Sequence, residues 1–390
     1  MKLAVIGLGQ CGGRIADEFA RMQMRSRGLR GLDIIVETLA VNTDSTDLAG
    51  ITSIKSDSNH RMLIGSTAAR GHGTAKVGDL GAEIMRRESG KVMEALGHGH
   101  KLADVDAVLI AAATAGGTGS GGIPILVHAL KEQYADKPVY AFLVLPFQHE
   151  EDNEQSTVVN TARCLMSTNL VADAVILADN QRFNKGEASL MENIAKINQS
   201  MIEPFMDLLC SGEEKKSKTG NKSVSATDVI ATLDGWTAIG KGKPVMPLIS
   251  SIKGDNSDSL RSEFRNDQGA FAMNEAFAAM SFGCKPSESF KALYLVAGPG
   301  RELRGNLTDG LDSYLKNAAS KAQIRGGEYP REKGEFGVTV ILSSLGETDR
   351  MRYFHEKAKL IYIDRAVQRQ AKVDKMMLTE EDGRDIPNLL

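Results

Sequence analysis

Short, wholly apolar runs recur along the first half of the chain, each followed by a glycine-rich or polar turn and then by residues with helical spacing. Leu3–Ile6, Ala107–Ala113, Val139–Leu145 and Ala174–Leu177 lack any polar/apolar alternation, which is the signature of parallel strands buried on both faces. A second strand region lies at Ile34–Val41. Ile15, Phe19 and Met22 have the three-and-four spacing of an amphipathic helix. Strand, turn and helix repeated in this way predict an α/β fold on a parallel sheet, Rossmann-like in its first half. A long central helix is predicted from Ala188 to Leu209, with Leu190, Ile194, Ile197, Met201, Phe205 and Leu208 on one stripe. Pro204 inside it predicts a kink. From about Leu248 a smaller α/β unit is predicted. Its strands are at Lys291–Ala297, Glu335–Leu342 and Leu360–Ile363, its helix runs around Glu263–Ser281, and turns fall at Gly298–Gly300 and Gly326–Gly327.

Composition narrows the function classes. The 390 residues are enough for two domains sharing a substantial core. A formal charge of −3 argues against a nucleic-acid partner. Cys11, Cys164, Cys210 and Cys284 are scattered, with no metal spacing, and read as free thiols of a reducing compartment. No run approaches the ~20 apolar residues of a membrane span, so the chain is expected to be soluble and cytoplasmic.

The candidate chemistry sits in two glycine-rich turns. Ala115-Gly116-Gly117-Thr118-Gly119-Ser120-Gly121-Gly122 follows a strand and opens a helix carrying Pro124. Without Cβ atoms, its amides can converge on a phosphate at the positive end of that helix. It lacks the Gly-Lys-Ser/Thr ending of a P-loop, so the turn itself supplies no lysine. The other turn, Gly7-Leu8-Gly9-Gln10-Cys11-Gly12-Gly13, follows the first strand and by itself fits a dinucleotide fingerprint, which makes a Rossmann NAD(P)-dependent oxidoreductase the rival reading. The acidic residue such an enzyme needs comes late, at Asp44, and a second phosphate cradle would have no use there.

Ala115 through Gly121 resembles the tubulin signature at all seven positions, and Gly9-Gln10-Cys11-Gly12 resembles the first phosphate loop of tubulins. The chain is thereby identified as a member of the tubulin/FtsZ superfamily, and Gly71-His72-Gly73 with Leu80–Ile84 is most similar to the archaeal CetZ branch. The resemblance implies a GTPase domain joined by a long central helix to a smaller α/β domain, with GTP/GDP and Mg2+ as cofactors. Phosphate contacts are then expected from Gly9, Gln10, Cys11, Gly12, Asn42, Asp44, Gly71, Gly73 and the run Ala115, Gly116, Gly117, Thr118, Gly119 and Ser120. Gln10 is expected to reach magnesium through water, and Glu150, in Pro146-Phe147-Gln148-His149-Glu150, to reach the ribose. Asn180 and Asn198 are placed at guanine, whose donor and acceptor edges an amide can match. Ile194 occupies the position where many relatives stack an aromatic ring. His72 reads as a loop histidine rather than a base.

Val224-Ser225-Ala226-Thr227-Asp228-Val229 has two readings. Ser225 and Asp228 have the spacing of a helix capping box. The stretch also resembles the FtsZ catalytic loop, which enters the neighbouring subunit's pocket; Asp228 matches its second acid and Ser225 replaces the first. A serine hydrogen-bonds water without accepting its proton, so slow hydrolysis is expected. The implied division is a GTP-binding domain at 1–185, a central helix at 186–210, an assembly domain at 211–365 and a tail at 366–390. Head-to-tail assembly with copies of itself is implied. The ending Asp385-Ile386-Pro387-Asn388-Leu389-Leu390 is similar to the FtsZ tail that binds membrane-adaptor proteins, although six residues favour a frayed terminus. The alternatives are a slow or non-hydrolysing GTP-binding scaffold and the oxidoreductase.

Overall fold

A computed structural model describes residues 1–97, 102–183, 190–213, 222–244, 257–300, 303, 307–331 and 335–384. Strand β1 (Leu3–Leu8) leads into helix α1 (Gly9–Arg30), then β2 (Ile35–Asn42), α2 (Ser45–Ala49), β3 (Arg61–Leu63) and α3 (Gly78–Gly97). Next come β4 (Ala107–Ala113), α4 (Gly117–Gln133), β5 (Val139–Leu145), α5 (Gln148–Asn153), α6 (Gln155–Asn169), β6 (Ala174–Asp179) and α7 (Asn180–Phe183). The central helix α8 (Leu190–Ser211) is followed by α9 (Ala226–Thr232), β7 (Gly235–Gly242) and α10 (Ser257–Ala278). The chain ends with β8 (Lys291–Pro299), α11 (Leu307–Ala318), β9 (Gln323–Arg331), β10 (Gly337–Leu345) and α12 (Asp349–Arg384).

The strands form one sheet in the order β3-β2-β1-β4-β5-β6-β7-β10-β8-β9. From β3 to β7 every neighbour is parallel, β10 is antiparallel to β7 and β8, and β9 is parallel to β8. Successive strand residues face opposite layers. Ala4, Ile6 and Leu8 thus join a core with α3, α4 and α6, whereas Leu3 and Val5 join a core with α1 and α8. Beyond β7, the first of these cores continues under α10 and α11, while α12 packs back along α6. The two halves meet where β6 and β7 pair over only three residue pairs, Ala174 with Gly235 to Ile176 with Thr237.

Several expectations are corrected. Leu360–Ile363 is not a strand but part of α12, which also carries most of the expected tail, as far as Arg384. Asp385–Leu390 lies outside the described residues. Gly326 and Gly327 do not form a turn; they lie inside β9, where a Cβ at Gly326 would overlap the Tyr294 ring and one at Gly327 would come 2.7 Å from the Lys222 carbonyl oxygen. Close packing rather than chain reversal therefore requires glycine there. Helix α4 begins at Gly117, so the glycines from Gly117 onward are already helical and Pro124 lies inside the helix. As expected, Pro204 lies inside the central helix α8.

Candidate functional site

In a sheet of this order the crossovers leave β1 and β4 in opposite directions, and a crevice opens above their carboxyl ends. Both glycine turns are there. Gly9, with φ +69°, starts α1, and a Cβ on it would lie 3.4 Å from the Gly119 amide nitrogen. Two helix N-termini, each with unbonded first-turn amides, therefore face one space. The glycines have different duties. At Gly116 a Cβ would meet nothing within 4 Å, whereas at Gly117 it would overlap Thr74 Oγ1 and sit 2.7 Å from the Val77 amide nitrogen. Gly119 is crowded at 3.1 Å by Ala112 and the Ala113 carbonyl, and Gly12 packs on the Ala111 backbone of β4. Gly116 lines open space; Gly12, Gly117 and Gly119 let backbones touch.

Loops from the neighbouring strands are tied to this crevice. Asn42 Oδ1 accepts from the amides of Thr43 at 2.7 Å and Asp44 at 3.2 Å, turning the chain as β2 ends. Asp44 then caps α2, its Oδ1 accepting from the Thr46 amide at 2.8 Å and the Asp47 amide at 3.1 Å. Asp47, absent from every motif, accepts from Gln10 Nε2 at 2.7 Å and Asn42 Nδ2 at 3.0 Å. Thr118, in the cradle, pairs its hydroxyl with Thr43 at 2.7 Å and with Thr74 at 3.4 Å. The 71–78 loop is bound to the same region: the Gly73 amide donates to the Thr43 carbonyl at 3.1 Å, and the Ser45 amide to the Gly71 carbonyl at 3.1 Å. Gly71 and Gly73 take φ of +77° and +76°, which explains the two glycines. His72 is exposed.

The loops after β5 and β6 continue the rim. Glu150 folds back on α5, its Oε2 accepting from the Phe147 amide at 2.9 Å. Burial pushes the Cys11 thiol up to about 12; Arg14 opposes this and the Glu150 carboxylate adds to it. Cys11, in the first turn of α1, is therefore a neutral thiol. Glu150 and Glu151 both lie in α5, and Glu151 is buried. Arg350 of α12 forks onto Glu151, donating from Nη1 at 3.2 Å, and its Nε lies 3.3 Å from Asp179 Oδ2. Burial works against the charged guanidinium, but the two carboxylates raise the Arg350 pKa on balance. Asn180 is partly exposed at the start of α7, and the Gln148 amide donates to Gln181 at 3.4 Å across the two loops. Asn198 is buried on α8, which packs on α1; the side chain of Ile194 is outside the described set.

Ser225 and Asp228 are not in the crevice. They form the capping box of α9 beside β9: the Asp228 amide donates to Ser225 Oγ at 3.2 Å, while Asp228 Oδ2 accepts from the Ser225 amide at 2.9 Å and its hydroxyl at 2.6 Å. Partial burial works to raise the Asp228 pKa, but those bonds, with Arg325 and Lys222, hold it below its ordinary value. Arg325 Nε lies 3.8 Å from Asp228 Oδ1.

Sequence motifs missed Asp47, Asn160, Arg350 and Arg325. Each acts through a partner distant in the chain, and no local spacing marks it.

A parallel sheet whose switch point is flanked by two glycine-opened helix N-termini, continued through a central helix into a second α/β unit, defines a tubulin/FtsZ fold. Residues 2–186 match the GTPase domain of the Tubulin/FtsZ family. The chain belongs to that family, and residues 186–360 match the C-terminal domain of tubulin-like CetZ proteins, which places it in the CetZ branch. It is 27% identical to tubulin-like protein CetZ3 of Haloferax volcanii over 98% of both chains, and 29% identical to CetZ2 of the same organism over 99% of this chain and 100% of that one. CetZ1 of Haloferax volcanii, solved as a GDP-bound monomer, superposes with TM-score 0.78 at 26% identity, covering 93% of this chain and 100% of that one. CetZ2, solved as a GTPγS-bound protofilament, also gives 0.78 at 28% identity, covering 94% and 99%. The oxidoreductase reading is set aside on this family membership. Among the described residues no helix is long and apolar enough to cross a membrane.

Proposed function

We propose that the chain binds GTP in the β1/β4 crevice, hydrolyses it slowly, and assembles head to tail into protofilaments. The observation that carries this is the convergence of Gly9 and Gly119 on a space that Gly116 leaves open. Phosphates accept from first-turn amides of α1 and α4, with Gln10, Asn42, Asp44, Gly71 and Gly73 around them. Glu150 serves the ribose, and Asn180 and Asn198, with Ile194, serve guanine. Among the described residues no cluster of three His, Cys, Asp or Glu could hold a metal. That donor set fits Mg2+ only as an ion carried mainly by phosphate and water, with Gln10 and Asp47 at its edge. Bound there, it would offset phosphate charge.

Asp228 acts in trans. Its position beside β9, at the far side of the sheet from the crevice, suits a loop presented to the next subunit, and such a non-closing contact generates filaments. In that role its carboxylate orients the attacking water while Ser225 only hydrogen-bonds it. CetZ2, as a GTPγS-bound protofilament, supports the assembly reading. The division at 185/186 is supported by the two family models meeting at residue 186. A role in cell shape or division, cytoplasmic location and an adaptor at Asp385–Leu390 belong to the same reading. One observation favours a scaffold with little turnover: Asp228 Oδ2 is already engaged twice by Ser225. Identifying the nucleotide that co-purifies, then measuring phosphate release and pelleting with GTP, separates the two. Retention of no guanine nucleotide overturns both.

A further inference from the structure

Asn160 lies on α6, and its side chain is buried at 7% exposure. Its amide nitrogen donates to the Lys76 carbonyl at 2.8 Å and to the Ala115 carbonyl at 3.0 Å. One carboxamide therefore uses both its N–H bonds to tie the 71–78 loop to the first residue of the glycine cradle. The backbone it holds is strained. Ala75 and Lys76 take φ of +46° and +59°, a left-handed conformation that residues with a Cβ disfavour and that lasts only where the surroundings impose it. Packing supplies part of that constraint, since a Cβ on Gly78 would come 2.9 Å from Asn160 Oδ1. Lys76 Nζ also pairs with Glu154 Oε2 at 2.7 Å, and on the opposite flank the loop is bonded to Thr43 and Ser45. The loop is thus stretched between two anchors, with Asn160 as the buried one.

We propose that Asn160 is a positioning residue that sets the distance between the 71–78 loop and the cradle, and so lets the site tell a nucleoside triphosphate from a diphosphate. This rests on the GTP-binding reading above. The two inner phosphates need only the cradle and the first turn of α1. A third phosphate extends past the cradle and has to meet the 71–78 loop where Asn160 holds it. With the clasp broken, Ala75 and Lys76 relax toward ordinary φ values, the loop leaves that position, and the triphosphate loses contacts that the diphosphate never made.

The test uses the full chain with Asn160→Asp, which keeps the shape but turns both donations into an acceptor facing two carbonyls. Kd values for GDP and GTPγS are measured by displacement of a fluorescent guanine nucleotide. Affinity for GTPγS should fall by about tenfold or more, the loss expected for a broken pair of buried hydrogen bonds, while GDP affinity stays within about twofold. Equal losses for both nucleotides, or none for either, overturn the proposal. Asn160→Ser, smaller and uncharged, gives the same ratio if the aspartate variant does not fold, and a ratio unchanged from wild type would also overturn it. Wild-type protein that binds neither nucleotide refutes the GTP-binding reading and this role with it; wild type that binds both, with Asn160→Asp unaltered, refutes the role alone.

Discussion

The Gln10 side chain donates to Asp47 across 2.7 Å, joining the first turn of α1 to the helix that follows β2. The other Asp47 oxygen accepts from Asn42 at 3.0 Å. One carboxylate therefore orients two amides that the motifs single out for phosphate and metal; it does not engage the Gln10 oxygen, while the Asn42 oxygen accepts from the Thr43 and Asp44 amides. Asp47 is the link between the first and second loops.

Asp47→Asn should loosen that link, because an amide offers one acceptor oxygen where two donors need one each. Losing roughly 1 kcal/mol of charge-assisted hydrogen bonding corresponds to about a fivefold weaker GTP affinity. The loss should appear in Mg2+ and shrink when the metal is chelated, since Gln10 acts at the metal's water shell. Titrations in magnesium and in EDTA that agree with wild type in both conditions would remove Asp47 from the site.

Gly116→Val and Gly117→Val should separate ligand space from packing space. At Gly116 the new Cβ has open space around it, and the backbone φ of −72° suits any residue. This variant should melt close to wild type and retain no nucleotide. At Gly117 the side chain collides with Thr74 and Val77, so the loop and the fold both suffer, with a loss of about 1–3 kcal/mol typical of overpacking. A Gly116→Val protein that keeps normal nucleotide content would place the phosphates elsewhere.

Asp228→Asn should cost about 1 kcal/mol of stability as a weakened capping box. If Asp228 acts in trans, GTP binding and filaments persist while hydrolysis falls roughly 10²-fold. The pH dependence has a definite sign. A carboxyl held below its ordinary value stays ionised above it, so its stabilising share is present at neutral pH and is lost only as pH falls through that depressed value. Turnover should therefore show no titration of Asp228 between about pH 5 and 8. Normal turnover by a stable, assembling Asp228→Asn protein would leave only the cap.

Asp207→Ala should be the most damaging single change between the central helix and the second unit. Asp207 on α8 is buried between Lys241 of β7, at 2.9 Å from its Oδ2, and Arg331 of β9. Burial works to raise its pKa, yet Arg331 and Lys241 together lower it. Removing the acid takes the carboxylate from the largely buried Arg331 guanidinium and leaves Lys241 to Glu203 alone, at about 3–5 kcal/mol. Urea denaturation should show that loss at pH 7. Because the carboxyl is depressed, wild type should keep this contribution at neutral pH and lose it on acidification, so the gap to the variant should narrow at low pH.

Much was legible in the chain alone. The apolar runs at β1, β4, β5 and β6 mark a parallel sheet because strands buried on both faces need no polar alternation. The two glycine turns could be assigned because phosphate binding by backbone needs glycines in a local order. The capping box of α9 was readable because its partners are three residues apart. Contacts between distant segments were not. Asn160 bonds Lys76 and Ala115, Arg350 reaches Glu151, and Thr118 reaches Thr43; their separations in sequence carry no period. Leu360–Ile363 reads as a strand from its composition, but packing along α6 makes it helix, because burial of one face overrides local propensity. Gly326 looks like a turn until the Tyr294 ring fills the space above it. Local chemistry fixes what a segment can bind; only the folded arrangement decides which backbone it stands against.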